Sequence, residues 1–305
     1  HILSPQQPLV ENIGYLPEAS AERRFYTHEF ALFSMASLPV WGRLYVSAGI
    51  RYSGSLQTGP YTDLPEDIGT DTICYGRNEK VSFHQGWEPR FTLNYFLTEH
   101  SSLRLSYDKH RQYINLVTLS GVGLPTDFWI PATRYIPPQS GHNFSLGYSV
   151  ASASNRYEIG TGVFYRSMQH IPEQDATLTE LMTRHYDPEK QIFTGKGKAW
   201  GAEILLKKNA GKLNGWVGYT WSKSIRKTPG INEGKYYPAK YDRRHDFSFV
   251  LHYTPGPRWD FSGVFVYATG NAFTMPVGMY TIGGNIVKEY GGYNRSRMPD
   301  YHRLD

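Results

Sequence analysis

The chain has 305 residues, a formal net charge of +5, 19% charged and 15% aromatic residues, and a mean hydropathy of −0.50. No run of about 18 apolar residues occurs, which excludes a membrane-spanning helix but not a transmembrane β-barrel, whose strands are apolar only at alternate positions. The charge is spread without a basic tract, which argues against nucleic acid as a partner, and the single Cys74 has no second cysteine to pair with.

Taken in chain order, the sequence alternates with period two, the strand signature. A first strand near Arg24 to Leu38 alternates imperfectly. Leu44, Val46, Ala48, Ile50 and Tyr52 then alternate with Tyr45, Ser47, Gly49, Arg51 and Ser53. Phe91, Leu93, Tyr95 and Leu97 follow, then Leu103, Leu105 and Tyr107, whose polar neighbours include Arg104 and Asp108. Phe144, Leu146, Tyr148 and Val150 begin the next hairpin, and Tyr157, Ile159, Val163 and Tyr165 oppose Glu158, Gly160, Gly162 and Arg166. Ala202, Ile204 and Leu206 oppose Gly201, Glu203 and Lys207; Val217, Tyr219 and Trp221 oppose Gly218, Thr220 and Ser222. Phe247, Phe249, Leu251 and Tyr253 precede a Thr254–Pro257 turn, and Trp259, Phe261, Phe265 and Tyr267 follow it. Phe96 and Trp216 are apolar exceptions on the polar face.

Connections come in two kinds. Short turns are predicted near Leu38–Trp41, Thr98–Ser101, Ser152–Asn155, Asn209–Lys212 and Thr254–Pro257. Long connections are predicted over about 54–85, 119–140, 170–189, 227–240 and 271–298. The pattern predicts ten meander strands in five hairpins, with an eleventh opening near Tyr301. Alternation over ten or more residues exceeds the usual strand of about five or six and matches the length that crosses a bilayer at a tilt. Tight turns at one end and long loops at the other are the barrel signature. The fold class expected is therefore all-β: an antiparallel up-and-down transmembrane β-barrel portion, incomplete, with a soluble β-rich protein as the alternative.

On that reading Phe247, Phe249, Leu251, Tyr253, Trp259, Phe261, Phe265 and Tyr267 face lipid, with aromatic residues near the strand ends. Arg104, Asp108, His110, Glu158, Arg166, Glu203 and Asp260 face the lumen, where charges are solvated or meet a plug. Loop aromatics stack on flat or sugar-like solutes, or pack the loops. The candidate solute contacts are Phe128, Trp129, Tyr135, Tyr236, Tyr237 and Asn271. The charges of Tyr241-Asp242-Arg243-Arg244-His245-Asp246 read as a solvated strand crown with local pairs, or as a loop-anchoring ion network or a ligand contact above the membrane.

The sequence carries little chemistry. His110 beside Asp108 lacks the third group of a catalytic constellation. The 11 histidines show no repeated metal-ligand spacing, so no metal site and no cofactor is expected. "GKGK" (195–198) and "GINEGKYY" (230–237) lack the Ser or Thr of a phosphate loop.

Several stretches resemble a known family. "KAWGAEILLKKNAGKLNGWVGYTWSKS" (198–224), "YDRRHDFSFVLHY" (241–253), "WDFSGVFVYATGNAFTMP" (259–276) and "NRSRMPDYHRLD" (294–305) resemble the C-terminal barrel region of TonB-dependent outer-membrane receptors, in the style of the Bacteroidetes receptors. The resemblance implies a barrel of about 22 strands with a plugged lumen. Residues 1–305 would then be part of a single barrel domain, with the plug, the first strands and the last strands outside it. The absence of an initiator Met and a signal peptide, and the strand opening at Tyr301, fit a piece of a longer protein. By resemblance the protein is not an enzyme. It is a bacterial outer-membrane receptor for TonB-energised uptake of a scarce or bulky solute: a siderophore, haem, corrinoid, glycan or peptide. Its partners would be outer-membrane lipid, the TonB protein through the N-terminal part, its own plug domain, the small solute and, in a glycan importer, a surface lipoprotein. A passive channel or an outer-membrane barrel enzyme is the alternative.

Overall fold

The computed structural model describes residues 2–3, 24–63, 72–117, 128–174, 189, 192–282 and 285–305; for 2–3, 128, 174, 282 and 285–290 the description is of the backbone. A thirteen-stranded antiparallel sheet dominates it. Its long strands are β1 (Arg24–Trp41), β2 (Leu44–Thr58), β3 (Lys80–Thr98), β4 (Ser101–Gln112), β5 (Gln139–Ala151), β6 (Tyr157–Gln174), β7 (Ile192–Lys208), β8 (Leu213–Lys227), β9 (His245–Gly256) and β10 (Trp259–Ala268), followed by β11 (Tyr301–Leu304). Each pairs with its sequence neighbour, a meander; Ile2–Leu3 pairs with β1 and Tyr237–Pro238 with β8. Within the described residues the two ends of the sheet do not meet.

The ten long strands and the start of the eleventh lie where the alternation places them. Three of the tight turns contain only two residues: Gly42–Arg43, Glu99–His100 and Pro257–Arg258. At the first, Gly42 adopts φ 43°, in the left-handed region that glycine enters without a Cβ penalty. The first and last turns lie beyond their predicted positions: Leu38–Trp41 still belongs to β1, and β9 runs on to Gly256. Thr254 still donates its N–H to the Lys212 carbonyl at 2.7 Å, and an irregularity between Tyr253 and Gly256 carries the strand on before it turns.

The strands are longer than the alternation suggested, and the largest extensions are at the long-loop end. β3 has 19 residues, β6 has 18 and β7 has 17, against the ~10 that cross a bilayer at a tilt. They therefore project well past a hydrocarbon layer. The long connections form small hairpins of their own: Tyr61–Asp63 with Ile73–Tyr75, Ile114–Val117 with Phe128–Pro131, Pro276–Ile282 with Asn285–Tyr290, and Ala272–Phe273 with Ser296–Arg297. Parts of the predicted connections (64–71, 118–127, 175–188 and 283–284) lie outside the described residues.

Register makes one sheet face continuous. Tyr107 stands between Phe91 and Phe144, Leu105 between Leu93 and Leu146, and Phe249 between Val217 and Phe265. This row stays in the open: Leu32 is 77% exposed, Val163 52%, Phe261 52% and Trp259 65%. A soluble sandwich would bury these side chains at about 1.5–3 kcal/mol each. The buried apolar cluster is elsewhere, in the loop region: Val117, Ile130, Ile136 and Ile192. A sheet that leaves its apolar face bare and packs its core into the loops at one end is built for an apolar solvent around its middle.

Candidate functional site

Opposite the apolar row, the second sheet face carries a band of polar contacts. Asn143 donates to the Asp108 carboxylate at 2.9 Å and accepts from Arg166 Nε at 2.7 Å. His110 Nδ1 lies 3.4 Å from both Asp108 and Asn143, and its ring covers Gly141, where a Cβ would stand 2.6 Å from the ring carbon Cε1. The alternation of β4, β5 and β6 places these four side chains side by side. Among the sequence candidates, Asp108, His110 and Arg166 therefore converge; Asn143, which ties them together, was visible only as one polar residue in an alternating strand.

The other polar-face candidates stand apart. Arg104 donates to Asn94 at 2.9 Å, Glu158 pairs with Lys207 at 3.5 Å, Glu203 reaches over Gly162, and Asp260 meets His252 at 3.1 Å. Phe247, Phe249, Leu251, Tyr253, Phe261, Phe265 and Tyr267 share the apolar face, and their rings interlock: Phe249 with Phe265 at 5.6 Å, Trp259 stacked on Phe261 at 6.0 Å.

Toward the loops the polar face becomes tightly bonded. Glu88, 3% exposed, accepts from the Ser53 hydroxyl and the Arg111 backbone N–H, with Arg51 Nε at 3.7 Å, and Tyr113 meets Ser53 at 2.9 Å. Glu173 pairs with Arg226 and accepts from Tyr293 at 3.4 Å. Neither carboxylate had a signal in the sequence, because each lies in a strand extension that the alternation did not reach.

The Tyr241–Asp246 segment departs from the solvated crown. Asp242 is 2% exposed, accepts the Ser224 N–H at 2.5 Å, faces Arg244 at 3.3 Å and pairs with Arg297. Arg297 also donates to the Asp242 and Gly270 carbonyls, and Asn294 donates to the Pro238 carbonyl at 3.1 Å. The second alternative of the sequence reading, a loop anchor, is the arrangement present: the 228–244 and 269–300 connections are locked to each other. Asp300 completes the lock, accepting from Tyr267 at 2.6 Å and the Gly270 N–H at 3.1 Å. The Tyr267 hydroxyl first, and the Gly270 N–H second, hold the Asp300 carboxyl below its ordinary value.

The candidate solute contacts divide. Trp129 is 52% exposed and Tyr236 48% exposed, with the ammonium groups of Lys198 and Lys227 over the Tyr236 ring. Tyr135 donates its hydroxyl to Asp63 at 2.7 and 2.8 Å, and Asn271 accepts from Arg243 at 3.0 Å. Tyr237 is 2% exposed, bonded to Thr228 at 2.7 Å and edge-on to Tyr293 at 5.0 Å, so its ring offers no open face. Of Phe128 only the backbone is described, opposite Val117. Among the described residues no group of three His, Cys, Asp or Glu side chains is placed to hold a metal ion.

Comparison with solved structures places this fold. The ferripyoverdine receptor of the Pseudomonas aeruginosa outer membrane matches with a TM-score of 0.56 at 16% identity, over 96% of this chain and 34% of that one. The FrpB iron transporter of Neisseria meningitidis matches with a TM-score of 0.57 at 12% identity, over 91% and 37%. The ferric yersiniabactin uptake receptor of Yersinia pestis matches with 0.55 at 14% identity, over 92% and 38%. The chain thus spans little more than a third of these neighbours. A search of curated protein sequences gives no match. The family model of TonB dependent receptor-like β-barrels matches residues 4–305. An apolar outer row, a polar inner band and loops knit at one end are what that family's outer-membrane barrels require, and the chain belongs to the TonB dependent receptor-like β-barrel family.

Proposed function

We propose that the whole protein is an outer-membrane receptor that takes up a scarce or bulky solute through a plugged barrel, with energy delivered through TonB. The observation that carries this reading is the family match over residues 4–305, together with the division of the chain into a bare apolar wall and a bonded loop crown. A passive pore has no need of loops locked by buried carboxylates; a receptor does, because a pre-formed surface loses less entropy on binding. The iron and siderophore receptors among the structural neighbours favour a chelated metal as solute, although haem, corrinoids, glycans and peptides share the same size range. For a glycan, a surface lipoprotein would close over the crown.

Trp129 is the solute contact this reading favours, as an exposed ring on the crown; the Tyr236 ring lies instead under Lys198 and Lys227, on the outward row. The polar band around Asp108 and Arg166 faces the plug. The test is uptake by cells producing the full-length protein. Saturable accumulation of a labelled ferric siderophore, abolished by a protonophore and by loss of TonB, is the expected result. Uptake that persists in de-energised cells would establish a passive channel instead, and chemical conversion of the solute at the cell surface would establish an enzyme.

A further inference from the structure

On β7 and β8 the outward row does not end at the aromatic residues. Trp200 stands opposite Lys223, Lys198 opposite Ile225, and Lys196 opposite Lys227. Each step of two residues adds about 7 Å along the strand. The lysines therefore rise from the aromatic level to the height where hydrocarbon gives way to headgroups, on the long-loop side. The "GKGK" alternation is a strand, not a loop: Gly195 and Gly197 point inward, where a Cβ would run into Thr228 and Ile171, and the lysines between them point outward.

Within the described residues the charge of this cluster is uncompensated by protein. Among the described residues, none of the four lysines has an ion pair, whereas Lys207, inward on the same strand, pairs with Glu158 at 3.5 Å. The nearby carboxylates Glu173 and Glu203 lie on the inner face. Like charges directly opposite on paired strands are destabilising, and Lys196 with Lys227 is such a pair. Aromatic rings hold the ammonium groups in place without neutralising them: Lys198 and Lys227 lie 6.0 and 5.8 Å from the Tyr236 ring centre, and Lys223 lies 5.6 Å from that of Trp200.

We propose that this lysine cluster on the outer wall is a binding site for the phosphate groups of a lipid headgroup in the outer leaflet. A free solute would have no reason to dock here, because the cluster is on the lipid side of the wall, continuous with the apolar row. A headgroup phosphate sits at this height already, needs several donors, and relieves the repulsion between Lys196 and Lys227.

The test uses the full-length protein in phosphatidylcholine micelles doped with phosphatidic acid or, as the phosphate-free control, diacylglycerol, with retained lipid read by native mass spectrometry. Phosphatidic acid is expected to be retained in preference to diacylglycerol. Replacing Lys196, Lys198, Lys223 and Lys227 together by Gln is expected to lower that preference by about tenfold or more, while Lys207→Gln keeps it. Equal retention of the two lipids, or an unchanged preference in the quadruple variant, would overturn the assignment. Displacement of phosphatidic acid by millimolar inorganic phosphate would make the cluster a free-anion site and overturn the lipid assignment equally. If the quadruple variant does not insert, Lys198→Gln and Lys227→Gln singly carry the test: each is expected to weaken retention, and no change in either would overturn the proposal.

Discussion

Arg297 and Asp242, 55 residues apart in the chain, close one of the tightest contacts in the protein: the guanidinium reaches both the side chain and the carbonyl of the aspartate. Asp242 is buried while Arg297 is part-exposed, so the carboxylate depends on its partners far more than they depend on it.

Asp242→Ala leaves the Ser224 N–H, Arg244 and Arg297 without their common acceptor. The expected cost is about 1–3 kcal/mol, the cost of stranding buried polar groups. Arg297→Gln should cost less, and the double variant little more than Asp242→Ala alone, because the two changes remove one network. Denaturant unfolding of the full-length protein in detergent checks all three. Additive losses would show that the two loops are not coupled through this pair.

Arginine on the apolar row reads out depth in the membrane. Phe249 sits mid-strand, opposite Val217 and Phe265, and Phe249→Arg should cost about 2–4 kcal/mol. Phe261 lies two residues from the Trp259 turn, so Phe261→Arg should cost less, as the penalty falls toward an interface. Folding titrations into bilayers measure both; equal tolerance at the two positions would mean that this face does not meet hydrocarbon.

Gly270 is held where no side chain fits: a Cβ there would collide with the Met298 carbonyl oxygen. Gly270→Ala must push apart the backbones that Asp300 and Arg297 join, at about 1–3 kcal/mol. Gly256→Ala, with nothing within 4 Å of its Cβ, is the matched control. Protease sensitivity of the 269–300 connection should rise in the first variant only.

Asp300 makes part of the lock pH-dependent. Its folded carboxyl is more acidic than the unfolded one, because the Tyr267 hydroxyl and the Gly270 N–H favour the charged form. Its contribution is therefore fully present above the unfolded value and disappears as pH falls through the folded one. Asp300→Asn should lower stability at neutral pH and flatten the acid limb, so that the wild-type and variant profiles converge as pH falls through the folded value. An identical acid limb in wild type and variant would remove Asp300 from the lock.

The wall was legible in the sequence because period two is a local signal that survives without knowledge of any partner. Phe249 and Leu251 announce their face by the polar residues between them. The strand extensions were not legible, since Glu88 and Glu173 break no local rule and are explained only by Ser53 and Arg226 on other strands. Asp242 in the Asp-Arg-Arg run looked like a surface residue for the same reason: its burial comes from Arg297, 55 positions away. Tyr237 looked like a free ring and is a packed one, because Thr228 and Tyr293 fold over it. Phe164 shows the same limit on the inner face, where it covers Gly201 with a ring atom 2.7 Å from a would-be Cβ.

The two-residue turns at Gly42–Arg43, Glu99–His100 and Pro257–Arg258 have a consequence for how such a protein diversifies. They set the register of their hairpins from one end, and a slip of one residue would exchange the lipid and water faces of a whole strand. Residues added or removed at the opposite end change only the connection, since the pairing below is already fixed. The crown can therefore be lengthened, shortened or exchanged between relatives as a cassette, and new solute preferences can be tried without rebuilding the wall that carries them.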